Sequence, residues 1–286
     1  MVASGTFGYA SEIAELLNLN RLGGIVTKAI TLKPRAGNPP PRIAETPAGM
    51  LNSIGLANVG VERFITEKMP FLRTLDTAIF VNVAGSSQEE YIQVVERLET
   101  VDGIDAYEIN VSCPNVKKGG MQFGTAAESI RELTAQLRQR TERLLMIKLT
   151  PNVTSIAEMA KAAENGGADA ISLINTLRGM AIDIATRKPK IATVYAGFSG
   201  PAIKPVALAK VYEAFRAISI PIVGMGGIIT HEDVIEFMLA GSSAIQIGTA
   251  NFIVPRTAEN LVNALEAYCL EKGISAISEL TGDLRI

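Results

Sequence analysis

The 286-residue sequence has no tryptophan, a single histidine and two cysteines, and aromatic residues make up only 5% of it. So few stacking side chains argue against a platform for single-stranded nucleic acid. Twenty-seven Lys and Arg oppose 29 Asp and Glu, a formal net charge of −2. The charges are scattered, so the basic face that nucleic acid requires is missing, although nothing here opposes binding one small anion. Cys113 and Cys269 lie far apart in sequence. That spacing suggests a reduced, cytoplasmic enzyme rather than a disulfide framework. With one histidine and no cysteine cluster, a zinc site is disfavoured. The first residues lack the basic start and long apolar stretch of a signal peptide. Apolar runs such as residues 144–147 are far too short to span a bilayer, so no membrane association is expected. No G-x-G-x-x-G turn opens a helix after the first strand pattern, which weakens an open dinucleotide-binding sheet.

What is present is an ordinary globular balance, 48% hydrophobic and 20% charged. It allows a sizeable core in one large domain or two ordinary ones. Eight short, near-continuously apolar runs read as strands buried on both faces: residues 1–3, 24–27, 78–83, 106–109, 145–147, 170–174, 221–224 and 244–247. Between them lie amphipathic helical patterns at 88–98, 126–138, 155–165, 205–218, 232–239 and 258–272. In the third, Thr154 is positioned to cap the first turn. Ile156, Met159, Ala160 and Ala163 form one stripe, and Gly166-Gly167 ends the helix. Thr230 is the expected cap of the fifth. Alternating strands and helices predict a single α/β domain over residues 1–286, a (β/α)8 TIM barrel. Two connections, 29–58 and 177–204, exceed what a barrel needs. Both follow strands, so both are expected at the C-terminal face, as lids or binding loops or else as disordered segments.

Each strand pattern delivers a polar or glycine residue to that same rim. Ser4-Gly5 follow the first and Lys28 the second. Asn82 lies at the end of the third, Asn110 follows the fourth and Lys148 the fifth. Asn175-Thr176, Gly226-Gly227 and Gly248-Thr249 follow the last three. Ordinary turn chemistry explains any one of these residues. It explains two lysines poorly, because an ammonium entering a barrel mouth needs an anion or a polar partner. Glycine pairs after strands seven and eight are a phosphate signal. Backbone N–H groups can approach the oxygens there, and a helix N-terminus favours negative charge. The signal does not separate a phosphorylated sugar from a flavin nucleotide.

Cys269, inside the apolar pattern of the last helix, reads as a small buried hydrophobe. Cys113 sits in a polar loop at the rim, before a proline. A thiol, with a reference pKa of about 8.5, can act there as a base near neutrality, or as a nucleophile. His231, in the first turn of a helix, reads as structural or solvated.

At this point the residues resemble a known family. Asn110-Val111-Ser112-Cys113-Pro114-Asn115-Val116-Lys117, with Gly119-Gly120 and Phe123-Gly124 following, is similar to the active-site loop of dihydroorotate dehydrogenases. Gly37-Asn38-Pro39-Pro40-Pro41-Arg42, Asn52-Ser53-Ile54-Gly55-Leu56 and Asn82-Val83-Ala84-Gly85 fit the same family. So do Lys148-Leu149-Thr150-Pro151-Asn152 and Ser199-Gly200-Pro201-Ala202-Ile203-Lys204-Pro205. The motifs run in order from Met1 to the last helix. The resemblance implies a flavoenzyme with one FMN per chain that oxidises dihydroorotate to orotate in UMP biosynthesis. Cys113 would take a proton from C5 while a hydride leaves C6 for the flavin. Lys28 would touch flavin and substrate. Asn52, Ser53, Ile54, Gly55, Leu56, Asn110, Asn175 and Thr176 would hold the orotate ring and carboxylate. Ser4, Ala29, Asn82, Asn110, Lys148, Ile174 and Gly200 would contact the flavin, and Gly226, Gly227, Gly248 and Thr249 its phosphate.

Cysteine as the base, with no long N-terminal extension, resembles the soluble class. Lys117 to Gly120 and the Pro40-Pro41-Arg42 loop resemble its NAD-linked type. That type implies a homodimer joined by a second subunit carrying FAD and a [2Fe–2S] cluster, a heterotetramer through which electrons reach NAD. Two cysteines here cannot supply four thiolates to such a cluster. One departure concerns the start. Family members usually carry a short strand-and-hairpin segment before Ser4-Gly5-Thr6-Phe7-Gly8, whereas Met1 here already lies in the first strand pattern. The expectation is a start assigned too late, or an uncapped barrel floor and a less stable protein. Two rivals remain at this level. A related flavin barrel acting on dihydropyrimidine bases would share the cysteine loop, although Asn115 favours the orotate enzyme. A non-redox phosphate-binding barrel would explain the glycine turns but not Lys28, Lys148, Asn110 and Cys113 together.

Overall fold

The structure, a computed structural model, describes residues 1–111 and 125–286. Seven strands pair in parallel in chain order: Ile25–Val26, Ile79–Val83, Ala106–Asn110, Leu144–Lys148, Ala170–Leu173, Ile222–Gly224 and Ala244–Ile245. Val2 closes the ring, with one parallel bridge to Ile25 and another to Ile247. The Ala3 N–H donates to the Ile247 carbonyl and the Ile247 N–H to that of Met1, both within 3.0 Å. All eight expected strands are therefore present, the first as a single bridged residue, and the sheet curls into a (β/α)8 barrel.

Side chains alternate along each strand, so every second residue points into the barrel. Met146, Ala170 and Val223 pack inside with Met1, Phe80 and Ala244 as an apolar plug. One pleat nearer the C-terminal ends, Asn82, Glu108, Lys148, Ser172 and Gln246 replace them, and all are buried. The barrel interior is thus apolar below and polar above, and the polar layer becomes the floor of the site. Residues pointing outward, such as Val81, Ile109, Ile147 and Ile171, join the main core beneath the helices.

The helices form where an apolar stripe meets a capping residue. In Gln88–Glu99, Ser87 caps the N-terminus by accepting from the Glu90 N–H at 3.2 Å, and Tyr91, Val94, Val95 and Leu98 are buried on one face. In Ile156–Asn165 the cap is Ser155, which accepts from the Glu158 N–H at 3.2 Å, and not Thr154 as expected. Adjacent hydroxyls are equivalent by composition, and Ser155, with extended backbone, is the one that caps. Thr230 does cap His231–Leu239.

The two long connections are not irregular loops. Ile43–Thr46, Gly49–Asn52, Ala196–Ser199 and Leu177–Gly179 build a four-stranded antiparallel sheet in that spatial order. It has a small core of its own, Leu51, Ile191 and Ala196. Among the described residues no helix is long and apolar enough to cross a membrane.

Candidate active site at the barrel mouth

A cavity of about 400 Å³ opens at the C-terminal ends of the strands, beneath the antiparallel sheet. That lies within the roughly 300–1,000 Å³ typical of cofactor and ligand sites. Thirteen of the expected site residues line it: Ser4, Lys28, Asn52, Ile54, Lys148, Ile174, Asn175, Thr176, Gly200, Gly226, Gly227, Gly248 and Thr249. Lys28 and Lys148 are the only charged residues among the described ones that line it. Apolar walls come from Met50, Met225 and Ile228.

One end is built from backbone. Gly226 and Gly227 have φ of +130° and +80°, values that side chains oppose. A Cβ on Gly226 would stand 2.8 Å from that of Ala207, and one on Gly227 would stand 2.7 Å from the Lys204 nitrogen. Only glycine allows this turn. Among the described residues, no protein acceptor takes the N–H of Gly226, Gly227, Gly248 or Thr249. Backbone N–H donors without protein partners, on residues lining one cavity, suit an anion. Asp233 braces the turn from behind. Its carboxylate accepts from the N–H groups of Ile229 at 2.8 Å and Thr230 at 2.9 Å, and from Lys204 Nζ at 2.6 Å. Burial alone would raise the Asp233 carboxyl. The Lys204 ammonium and the two N–H groups outweigh it and hold the acid below its ordinary range. The bonds to Asp233 and then Glu236 raise Lys204 in turn. On the lid side, the Thr249 hydroxyl donates to Ser199 Oγ at 2.9 Å.

The other end is polar side chain. Glu108, fully buried, is the hub of the floor. Its carboxylate accepts from Asn82 Nδ2 at 2.6 Å, Ser172 Oγ at 2.8 Å and Gln246 Nε2 at 2.8 Å, and it pairs with Lys148 Nζ at 3.7 Å. Sequence reasoning missed Glu108, Ser172 and Gln246. Each is a single polar residue inside an otherwise apolar strand, a weak signal on its own. At the wall, Asn175 Nδ2 donates to Asn110 Oδ1 at 3.4 Å, and the Tyr91 hydroxyl holds the Asn110 carbonyl at 2.7 Å. Asn52 reaches the Gly197 carbonyl at 3.5 Å, across two strands of the lid.

Other expected residues stand behind or beside the cavity lining. Ala29 is buried next to Lys28, and Asn82 lies one layer down in the Glu108 network. Asn110 meets the site through Asn175. Ser53, Gly55 and Leu56 continue the lid strand, where Asn38 Nδ2 donates to Ser53 Oγ at 2.8 Å. Cys113 lies outside the described residues. His231 is away from the cavity lining, with Nδ1 3.2 Å from Glu232 and its ring 6.1 Å from that of Tyr268.

A (β/α)8 barrel whose mouth joins unpartnered backbone N–H groups to a pair of lysines has the architecture of a barrel that takes an anionic ligand. A family model described as dihydroorotate dehydrogenase matches residues 1–268. The dihydroorotate dehydrogenase B (NAD(+)) catalytic subunit of Thermoanaerobacter sp. is 52% identical over 286 residues, covering 100% of this chain and 94% of that one. The subunit of the same name from Geotalea daltonii is 51% identical with the same coverage. The chain belongs to the dihydroorotate dehydrogenase family. A DHODH from Eimeria tenella, solved in complex with ferulenol, superposes with a TM-score of 0.82 at 20% identity, over 99% of this chain and 84% of that one, and shares the fold.

Proposed function

We propose that the chain oxidises (S)-dihydroorotate to orotate in UMP biosynthesis, using one FMN per chain. The observation that carries this reading is the pairing of two lysines with a four-donor backbone cradle in one cavity, in a chain of this family. The donor set fits FMN: N–H groups for its phosphate, apolar walls for its ring, and a cation for the ring's electron-rich end. When bound, FMN supplies the two-electron acceptor that takes the hydride from C6 of the substrate.

The chain's own residues do the rest. Gly226, Gly227, Gly248 and Thr249 hold the phosphate. Ser4, Ile174 and Gly200 frame the ring, with Ala29 and Asn82 packed behind them. Lys148, fixed on Glu108, places positive charge where negative charge grows. Lys28 spans cofactor and substrate. Asn52 through Leu56, with Asn110, Asn175 and Thr176, hold the pyrimidine ring and its carboxylate, so that C5 faces a single base. Cys113 is that base and takes the C5 proton. The antiparallel sheet excludes water from the reacting face.

NAD is the final acceptor, reached through a separate subunit with FAD and a [2Fe–2S] cluster. A homodimer of this chain with two such subunits is the assembly. The chain works in the cytoplasm. The test is dihydroorotate-dependent reduction of a dye by FMN-loaded protein, with dihydrouracil and dihydrothymine as controls. Turnover with dihydroorotate alone supports the reading. Preference for the uncharged bases overturns it.

A further inference from the structure

Glu108 and Gln246 are assigned no role by the resemblance, yet they determine what the cavity floor can recognise. A carboxylate only accepts hydrogen bonds. Every carboxamide facing Glu108 must therefore present its NH2 group, and chemistry alone fixes this orientation. Gln246 Nε2 donates to Glu108 Oε1 at 2.8 Å and Asn82 Nδ2 donates to Oε2 at 2.6 Å. Both amide oxygens are consequently turned away. Asn82 Oδ1 and Gln246 Oε1 are buried and have no partner among the described residues. Asn82 does not reach the cavity. Gln246 does: it lines the cavity although only 1% exposed. An unpartnered buried acceptor at a binding site is destabilising unless a ligand supplies a donor.

The same carboxylate holds Lys148, whose Nζ lies 3.7 Å from Oε2. The floor therefore offers an ammonium donor and a carbonyl acceptor set by one residue. Oxidised isoalloxazine has one ring N–H, the imide at N3, beside the C2 carbonyl. We infer that Gln246 Oε1 accepts the N3–H of the flavin while Lys148 faces the adjacent C2 carbonyl, with Glu108 as the positioning residue for both. The inference rests on the FMN reading above and names the contact that selects an imide-bearing ring.

The test is fluorescence titration of the flavin-free full-length chain with FMN and with N3-methyl FMN, which has no imide hydrogen. The wild-type protein should bind FMN about tenfold or more tightly than the methylated flavin, the value of one hydrogen bond plus the displaced methyl. In Gln246→Met, of similar volume but without the acceptor, the two flavins should bind within about threefold of each other. Glu108→Gln lets the neighbouring amides turn over and should also lose the discrimination. Full discrimination in that variant would remove Glu108 from the account. Equal binding of both flavins by the wild-type chain overturns the inference whatever the variants do. Failure to bind FMN itself overturns the flavin reading beneath it.

Discussion

Asp233→Ala tests how the anion cradle is braced. The substitution removes the acceptor for Ile229 N–H and Thr230 N–H and one of the two carboxylates on Lys204. Lys204 keeps Glu236 at 2.8 Å, so no cation is stranded. The cost is thus mainly two charge-assisted bonds to backbone at a helix N-terminus, where water can partly replace them. That is about 2–3 kcal/mol. For a chain of this length the melting temperature should fall by about 3–5 °C. The Asp233 carboxyl is depressed in the folded protein. Its contribution is therefore complete above the unfolded carboxyl value and is lost as pH falls through the lower folded value. Lys204 is raised, so its share persists until pH climbs through its folded value. The stability gap between wild type and variant should be flat from about pH 5 to 9 and narrow below about pH 4. Urea midpoints across that range read it. A gap that is absent at neutral pH, or that stays constant into acid, refutes the reasoning.

Three further outcomes follow from the same geometry. Gly226→Ala forces a Cβ into a φ of +130° against Ala207; it should cost about 1–3 kcal/mol and release FMN, read as flavin content after gel filtration. Lys148→Met leaves Glu108 buried without its cation, and about 3 kcal/mol of stability should go with the bound flavin, read by melting temperature and visible absorbance. Leu51→Ala empties the centre of the lid core, where Leu51 is 2% exposed. It should cost about 2–4 kcal/mol locally, raising KM for dihydroorotate and speeding proteolysis within the lid sheet while the barrel's helical signal stays intact.

The barrel was legible because its strands are buried on both faces and read as apolar runs, and because each ends in a residue type that turns favour. The rim residues were legible for the same reason, and thirteen of them line one cavity. The lid sheet was hidden. Gly49–Asn52 pairs with Ala196–Ser199, nearly 150 residues on, and neither segment has a clean alternation to announce it. The polar floor was hidden differently. Glu108, Ser172 and Gln246 each look like an isolated polar residue in an apolar strand, and only the curl of the sheet brings Ser172 and Gln246, with the expected Asn82, onto the Glu108 carboxylate. The Ser155 cap was missed by one residue because Thr154 offers the same hydroxyl.

The most direct test of the account is anaerobic addition of dihydroorotate to FMN-loaded protein while the visible flavin band is followed, with Cys113→Ala beside the wild type. The account predicts prompt bleaching in the wild type and loss of that bleaching in the variant at neutral pH. A wild-type protein that binds FMN and stays yellow with dihydroorotate would contradict it.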